Sequence, residues 1–177
     1  MSGNIEKLDK CLEKECFERK NDFMKALSEF ILKERFLLEN NINERSLTHK
    51  LAEYLQKHFP DYNVDCEYNR MMEDEHYVKK TLGLPTDEKA KISDTTQKTV
   101  YPDVIIHKRE NNNDNLLVIE VKKSTNSNNK DFDFQKLRAF TKELKYKLGL
   151  YLEFNEEGVS DFELFENGKE AEKENDW

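Results

Sequence analysis

The chain has 177 residues, enough for one domain with a buried core. Charged residues make up 37% of it and the formal net charge is −8, which excludes a protein that holds nucleic acid through bulk positive field alone. Any phosphate contacts must therefore be local. The three cysteines are odd in number, and Cys11 and Cys16 have no histidine pair nearby, so neither a disulfide framework nor a zinc site is expected. No apolar run approaches the roughly 18–20 residues of a membrane span, and residues 1–10 lack the hydrophobic stretch of a signal peptide. The expectation is a cytoplasmic protein with no membrane partner.

From Ile5 to Leu38, the apolar residues Ile5, Leu8, Leu12, Cys16, Met24, Leu27, Phe30 and Ile31 recur mostly at three- and four-residue steps. That spacing predicts one or two amphipathic helices with a break near Lys20-Asn21-Asp22, an N-terminal helical extension over residues 1–40. Its apolar stripe fits three uses: core against the rest of the fold, a homodimer seam, or a docking face for a partner protein. A further helix is expected from Asn41, where Glu44 three residues later completes a capping-box pattern, with the stripe Leu47, Leu51, Tyr54 and Leu55 ending near Phe59-Pro60. Tyr62 to Tyr68 alternates as a strand with one polar face.

Met71 to Lys98 is charged throughout; it reads as a long connection with a Gly83-Leu84-Pro85 turn and a short helix around Glu75 to Leu82. Two strands follow, in Thr99 to His107 and in Leu116 to Lys122. They are joined by Lys108 to Asn115, whose four asparagines and one aspartate suit a hairpin loop. The period-2 rule sends Glu120 and Lys122 to one face, and Leu117, Ile119 and Val121 to the other. Tyr101, Asp103 and Ile105 share a face of the partner strand. A hairpin symmetric about its loop pairs positions summing to 223, which sets Asp103 opposite Glu120. Cross-strand Cβ atoms are only about 4.5–5.5 Å apart, so two carboxylates there call for a proton or a cation.

A helix from about Asp131 to Lys147 carries Phe134, Leu137, Phe140, Leu144 and Leu148. The strands Leu148 to Phe154 and Asp161 to Phe165 follow, and a polar, acidic tail is expected over 167–177. Residues 122–147 hold eight Lys or Arg against three acids, so the segment after the acidic pair is locally basic. The crossover rule places the Leu148 strand parallel to the Leu116 strand. The fold class expected is α/β, a mixed sheet flanked by helices.

Pro102-Asp103 on one strand and Glu120-Val121-Lys122 on the next, in the order helix, three strands, helix, strand, resemble the PD-(D/E)XK phosphodiesterase superfamily. That resemblance spans about Asn41 to Phe154, within a domain drawn as 41–166, and implies a restriction-endonuclease-like αβββαβ core. The strings Asn43 to His49, Asp65 to Arg70, Tyr101 to Asp103 and Ile119 to Lys123 are also similar to small bacterial members, a likeness that names no substrate. What the resemblance implies is a Mg²⁺-dependent nuclease, with Mn²⁺ as an alternative ion and DNA ahead of RNA as substrate. Asp103 and Glu120 would bind the ion, the carbonyl of Val121 would add a ligand, and Lys122 would position the attacking water. The chemistry is consistent, since Mg²⁺ takes oxygen ligands, usually one or two protein carboxylates, and keeps its other positions for water and phosphate.

Glu44 is the first-helix glutamate that the family pattern calls for, with the capping box as its competing use. The Gln-X-X-X-Tyr motif of many members is absent, because Ala139 and Phe140 follow Gln135. Gln135, Lys136, Lys123 and Arg70 are the residues expected to meet nucleic acid, Lys136 at least as well placed as Gln135. An edge hairpin with a merely wet polar face is the bland reading of Asp103, Glu120 and Lys122; Ile105, Leu116 and Val118, expected on the same face, weigh against it. A non-catalytic member of the same fold, acting as a binding or assembly module in a larger complex, is the alternative function.

Overall fold

The computed structural model describes residues 3–40, 42–73, 76–79, 81–85, 95–99, 101–109, 111–126 and 129–171. Its first part is helical: α1 (Gly3–Lys14), α2 (Lys20–Lys33), the short α3 (Arg35–Glu39) and α4 (Glu44–His58). The expected break falls slightly earlier than Lys20-Asn21-Asp22, and a further short helix is added. The strands are β1 (Asn63–Cys66), β2 (Arg70–Glu73), β3 (His76–Lys79), β4 (Thr81–Pro85), β5 (Thr95–Thr99), β6 (Val104–His107) and β7 (Leu117–Lys123). Helix α5 (Asp131–Glu143) then leads to β8 (Leu148–Asn155), β9 (Gly158–Glu166) and the two-residue β10 (Lys169–Glu170).

Six strands form one mixed sheet in the order β1-β6-β7-β8-β9-β10, with β7 and β8 parallel and the other neighbours antiparallel. The two layers of helix explain the two apolar faces of β7. Leu117, Ile119 and Val121 join Val104, Ile106 and the buried residues of α1, α2 and α4 in the larger core cluster. Val118 and Ile105 face the other way, toward Leu137 and Phe140 of α5, with Leu82 of β4 in the same cluster. A parallel strand covered on both faces reads as a continuous apolar run, as Leu117 to Val121 does apart from Glu120. That one interruption is the origin of the site.

The N-terminal stripe is core: Ile5, Leu8, Leu12, Phe23, Leu27 and Phe30 are buried in the cluster that underlies the sheet. Leu116, expected beside the charged face, joins this cluster instead, because the chain has not yet entered β7 there. The segment 71–98 is not a loop with a helix. Two antiparallel hairpins occupy its described parts, β2 with β3 and β4 with β5, and Gly83-Leu84-Pro85 lies within β4. Tyr77, Val78 and the threonines of β5 favour the extended backbone without giving an apolar rhythm to detect. The tail begins as structure too: Asn167 (φ 50°) and Gly168 (φ 81°) turn the chain so that β10 pairs with β9. No described helix is long and apolar enough to cross a membrane.

Gly149 sets the spacing between α5 and the sheet. A Cβ there would stand 3.2 Å from Thr141 Cγ2, 3.3 Å from Phe165 Cβ and 3.4 Å from Leu137 Cβ, so the bare backbone lets the helix lie close.

Candidate functional site

The β6–β7 hairpin has the register that loop symmetry predicts: Val104 pairs with Ile119, Ile105 with Val118 and Ile106 with Leu117. Asp103, one residue before β6, continues that register to Glu120. Pro102 is buried and its carbonyl accepts a hydrogen bond from Glu67 N at 3.0 Å, so the approach to Asp103 is fixed to the strand-end of β1. The Asp103 carboxylate then accepts the Val121 N–H at 2.8 Å, a bond that closes the hairpin end across its two strands.

Glu120 is 2% exposed and faces α5. Its Oε2 accepts from Lys136 Nζ at 2.5 Å, while Oε1 is buried without a hydrogen-bond partner among the described residues. Lys136 also lies 3.5 Å from Asp133, three residues earlier on the helix, and the other oxygen of Asp133 accepts from Lys122 Nζ at 3.2 Å. Glu120, Lys136, Asp133 and Lys122 thus form an alternating ladder of charge between β7 and the first turns of α5. Tyr151 of β8 lies beside Glu120 in the sheet and is buried with it; Phe134 stacks edge-on against its ring at 5.2 Å.

Glu44 comes from the opposite layer. Asn43, not Asn41, caps α4, its side chain accepting the Ser46 N–H at 2.9 Å, so Glu44 is the first helical residue and no capping box competes for it. Asn41 lies outside the described residues. The freed carboxylate accepts from Lys123 N at 3.0 Å and from Asn126 Nδ2 at 2.9 Å, which ties the C-terminal end of β7 to the start of α4. Thr48, Leu51 and Leu55 continue the same stripe and are buried, as its spacing implies.

Burial pushes the Glu120 carboxyl well above the ordinary glutamate range, with Asp103 and Asp133 adding to the effect and Lys136 opposing it. Asp103 moves up as well, first through burial and then through Asp133 and Glu44, against the Val121 hydrogen bond and the Lys136 charge. Burial alone would lower Lys136, but Glu120, Asp133 and Asp103 together outweigh it and the ammonium is held above its usual value. Asp103, Glu120 and Asp133 act on one another and on the Lys136 ammonium, Asp133 also holds Lys122, and Glu44 adds to the field at Asp103 from the other layer. Fully ionised, the first three acids exceed the two ammonium groups by one negative charge, which a proton or a cation would relieve.

The other expected contacts separate into two kinds. Lys123 is 8% exposed and donates to the Ile42 carbonyl at 2.8 Å, so its ammonium anchors the entry to α4. Lys136 is directed at Glu120, Lys130 at Asp161 (2.8 Å) and Arg138 at Glu170, which leaves the basic series largely neutralised from within. Gln135 is half-buried on α5 and Arg70 is exposed at the start of β2; neither bonds to the acid cluster among the described residues. Tyr101, 55% exposed, stands two residues before Asp103. Asp133 is the member that the sequence reading missed. Its i,i+3 spacing to Lys136, on a helix expected to follow the Glu-X-Lys strand, was the available signal.

Among the described residues, no three acid, histidine or cysteine side chains are grouped as a ready-made metal cage. The donor set around Asp103 and Glu120 is instead two carboxylates with one buried oxygen unused, a number and chemistry that suit Mg²⁺ with water completing its shell. Compared with known proteins, the chain matches no family model, and no significant match is found among curated proteins or solved structures.

Proposed function

We propose that the protein is a metal-dependent nuclease that hydrolyses phosphodiester bonds in DNA or RNA, on a restriction-endonuclease-like core. The observation that carries this reading is the buried Oε1 of Glu120, without a hydrogen-bond partner among the described residues, at the position that extends the hairpin register toward Asp103. Burying an acceptor without a donor costs free energy that a folded protein avoids unless the atom has another use. A pair of carboxylates with an excess of negative charge around it is such a use.

Asp103 and Glu120 would hold Mg²⁺ or Mn²⁺, with the Val121 carbonyl as the further ligand that the family pattern implies. Bound there, the ion would acidify a coordinated water and polarise a phosphoryl oxygen. The remaining work belongs to the chain. Lys122, held by Asp133, would orient the attacking water by hydrogen bonding and offset charge developing on the phosphoryl oxygens. Glu44 would fix the end of β7, and through it Lys122, by its bond to the Lys123 N–H. Water oxygen bonds to phosphorus, the bond from phosphorus to the leaving ester oxygen breaks, and that oxygen takes up a proton.

Incubation with single-stranded, double-stranded and branched DNA and with RNA, in Mg²⁺ or Mn²⁺ against EDTA, tests the reading. Wild type is expected to cut at least one of these, and Asp103→Ala and Lys122→Ala none. Cutting that continues in EDTA or in both variants rejects the mechanism. The internal pairing of Lys122, Lys130, Lys136 and Arg138 favours a second reading, a binding or assembly module of the same fold without catalysis. Failure of wild type to take up Mn²⁺ in calorimetry would select it.

A further inference from the structure

Glu120 is the deepest charge of the site, and Lys136 already sits where a cation would be drawn. The ammonium is 2.5 Å from Oε2, the pair is nearly closed off from solvent at 13% and 3% side-chain exposure, and Oε1 remains unused. Lys136 alone does not balance Glu120 and Asp103, which stands across the hairpin, because Lys122 is already taken up by Asp133. A divalent ion between Asp103 and Glu120 would serve both acids at once. It would also repel an ammonium left on the same carboxylate, since like charges at such separations interact strongly in a poorly screened site.

Lys136 has a second acceptor within reach. Asp133 is 3.5 Å away on the same helix, and its position three residues earlier lets a flexible lysine stem change partner without moving the backbone. Lys122 hangs from the other oxygen of Asp133, so a displaced Lys136 would share that carboxylate with it.

We propose that Lys136 is a tethered cation: it occupies Glu120 while the site is empty of metal, yields that carboxylate to an incoming divalent ion, and is thereby turned toward Asp133 and the substrate phosphate. This rests on the metal-site reading of Asp103 and Glu120 given above. The protein thus carries its own competitor for the ion, and metal binding and arming of a second phosphate-directed lysine become one event.

Two measurements on the full chain test it. In Mn²⁺ titration by calorimetry at fixed pH and ionic strength, Lys136→Met and Lys136→Gln are expected to bind at least about tenfold more tightly than wild type, with folding checked by circular dichroism. In wild type, labelling of Lys136 by an amine-reactive reagent, read by peptide mass spectrometry, is expected to rise severalfold when Mg²⁺ is added. Wild type and variants binding Mn²⁺ equally, or Lys136 labelling that Mg²⁺ leaves unchanged while wild type binds the ion, overturns the tethered cation and leaves the metal site standing. Absence of binding in wild type and in both variants overturns the metal site as well. If the variants do not fold, the wild-type labelling decides alone.

Discussion

Two carboxylates of this sheet, half-buried Asp65 on β1 and buried Glu120 on β7 with β6 between them, meet opposite fates. Asp65 of β1 has both oxygens occupied: Oδ2 by His107 Nε2 at 3.0 Å and Arg109 Nε at 2.9 Å, Oδ1 by the second arm of Arg109. Burial presses its pKa upward, yet the His107 and Arg109 hydrogen bonds win and hold the carboxyl well below the usual range. Glu120 has one oxygen occupied and one unused, and there burial wins. The same side-chain chemistry is completed internally in one place and left incomplete in the other. Completion suits a structural role, and the unused oxygen is the observation on which the proposed cation site rests.

The sharpest way to break the contrast is to remove the open side. Asp103→Asn and Glu120→Gln are expected to lower cleavage by about two to three orders of magnitude with the fold retained, measured as single-turnover rates in Mg²⁺. The reverse pattern, a loss of stability with the cleavage rate of the folded fraction unchanged, would place both acids with Asp65. Next in size is Asp65→Ala, which removes the carboxylate that accepts from buried His107 and half-exposed Arg109 and should cost about 2–3 kcal/mol in urea unfolding. Mn²⁺ affinity of the folded fraction should stay at the wild-type value. A matching loss of metal binding would show that the two clusters are one system.

Acid titration separates the clusters by sign. A carboxyl with a depressed folded pKa contributes stability that is present above the unfolded value, roughly pH 3.9 for aspartate, and that is lost as pH falls through the folded pKa. Asp65→Asn should therefore flatten the loss of stability below about pH 4, followed by chemical denaturation at stepped pH, and leave the profile above about pH 5 parallel to wild type. A difference that grows between neutral pH and pH 5 would contradict the assignment. The smallest effect belongs to the cap of α4. Asn43→Ala should cost about 1 kcal/mol by removing the Ser46 contact, with a smaller decrease in cleavage as Glu44 loses its fixed starting point.

Much of the hairpin was legible because two independent rules agreed on it. Period-2 alternation placed Glu120 among apolar neighbours, and loop symmetry fixed a register that the pairs 104/119, 105/118 and 106/117 reproduce. The parallel β8 and the helix before it followed from apolar spacing and crossover topology. The strands within 70–99 did not, because sequences such as Thr-Thr-Gln-Lys-Thr are extended by propensity and pairing and carry no apolar rhythm. Lys136 was placed near the site but assigned to phosphate. Periodicity gives the face of a residue, whereas the end of a four-carbon side chain is chosen by charges brought together only in the fold. Glu44 was singled out by its place on the first core helix, whereas its partners on Lys123 and Asn126 required the packing of two layers.

The bare backbone at Gly149 acts as a gauge for all of this. It lies beside Val118 on β7 and beneath Leu137 and Thr141 of α5, so it helps set the clearance between the strand that carries Glu120 and the helix that carries Lys136. A methyl group there would act as a shim, a few tenths of an ångström thick, slipped into a gap that the two charges span. The grip of the lysine on the glutamate would slacken while every ionisable group stayed in place. A residue with no functional group would then tune how closely that lysine meets that glutamate, by thickness alone.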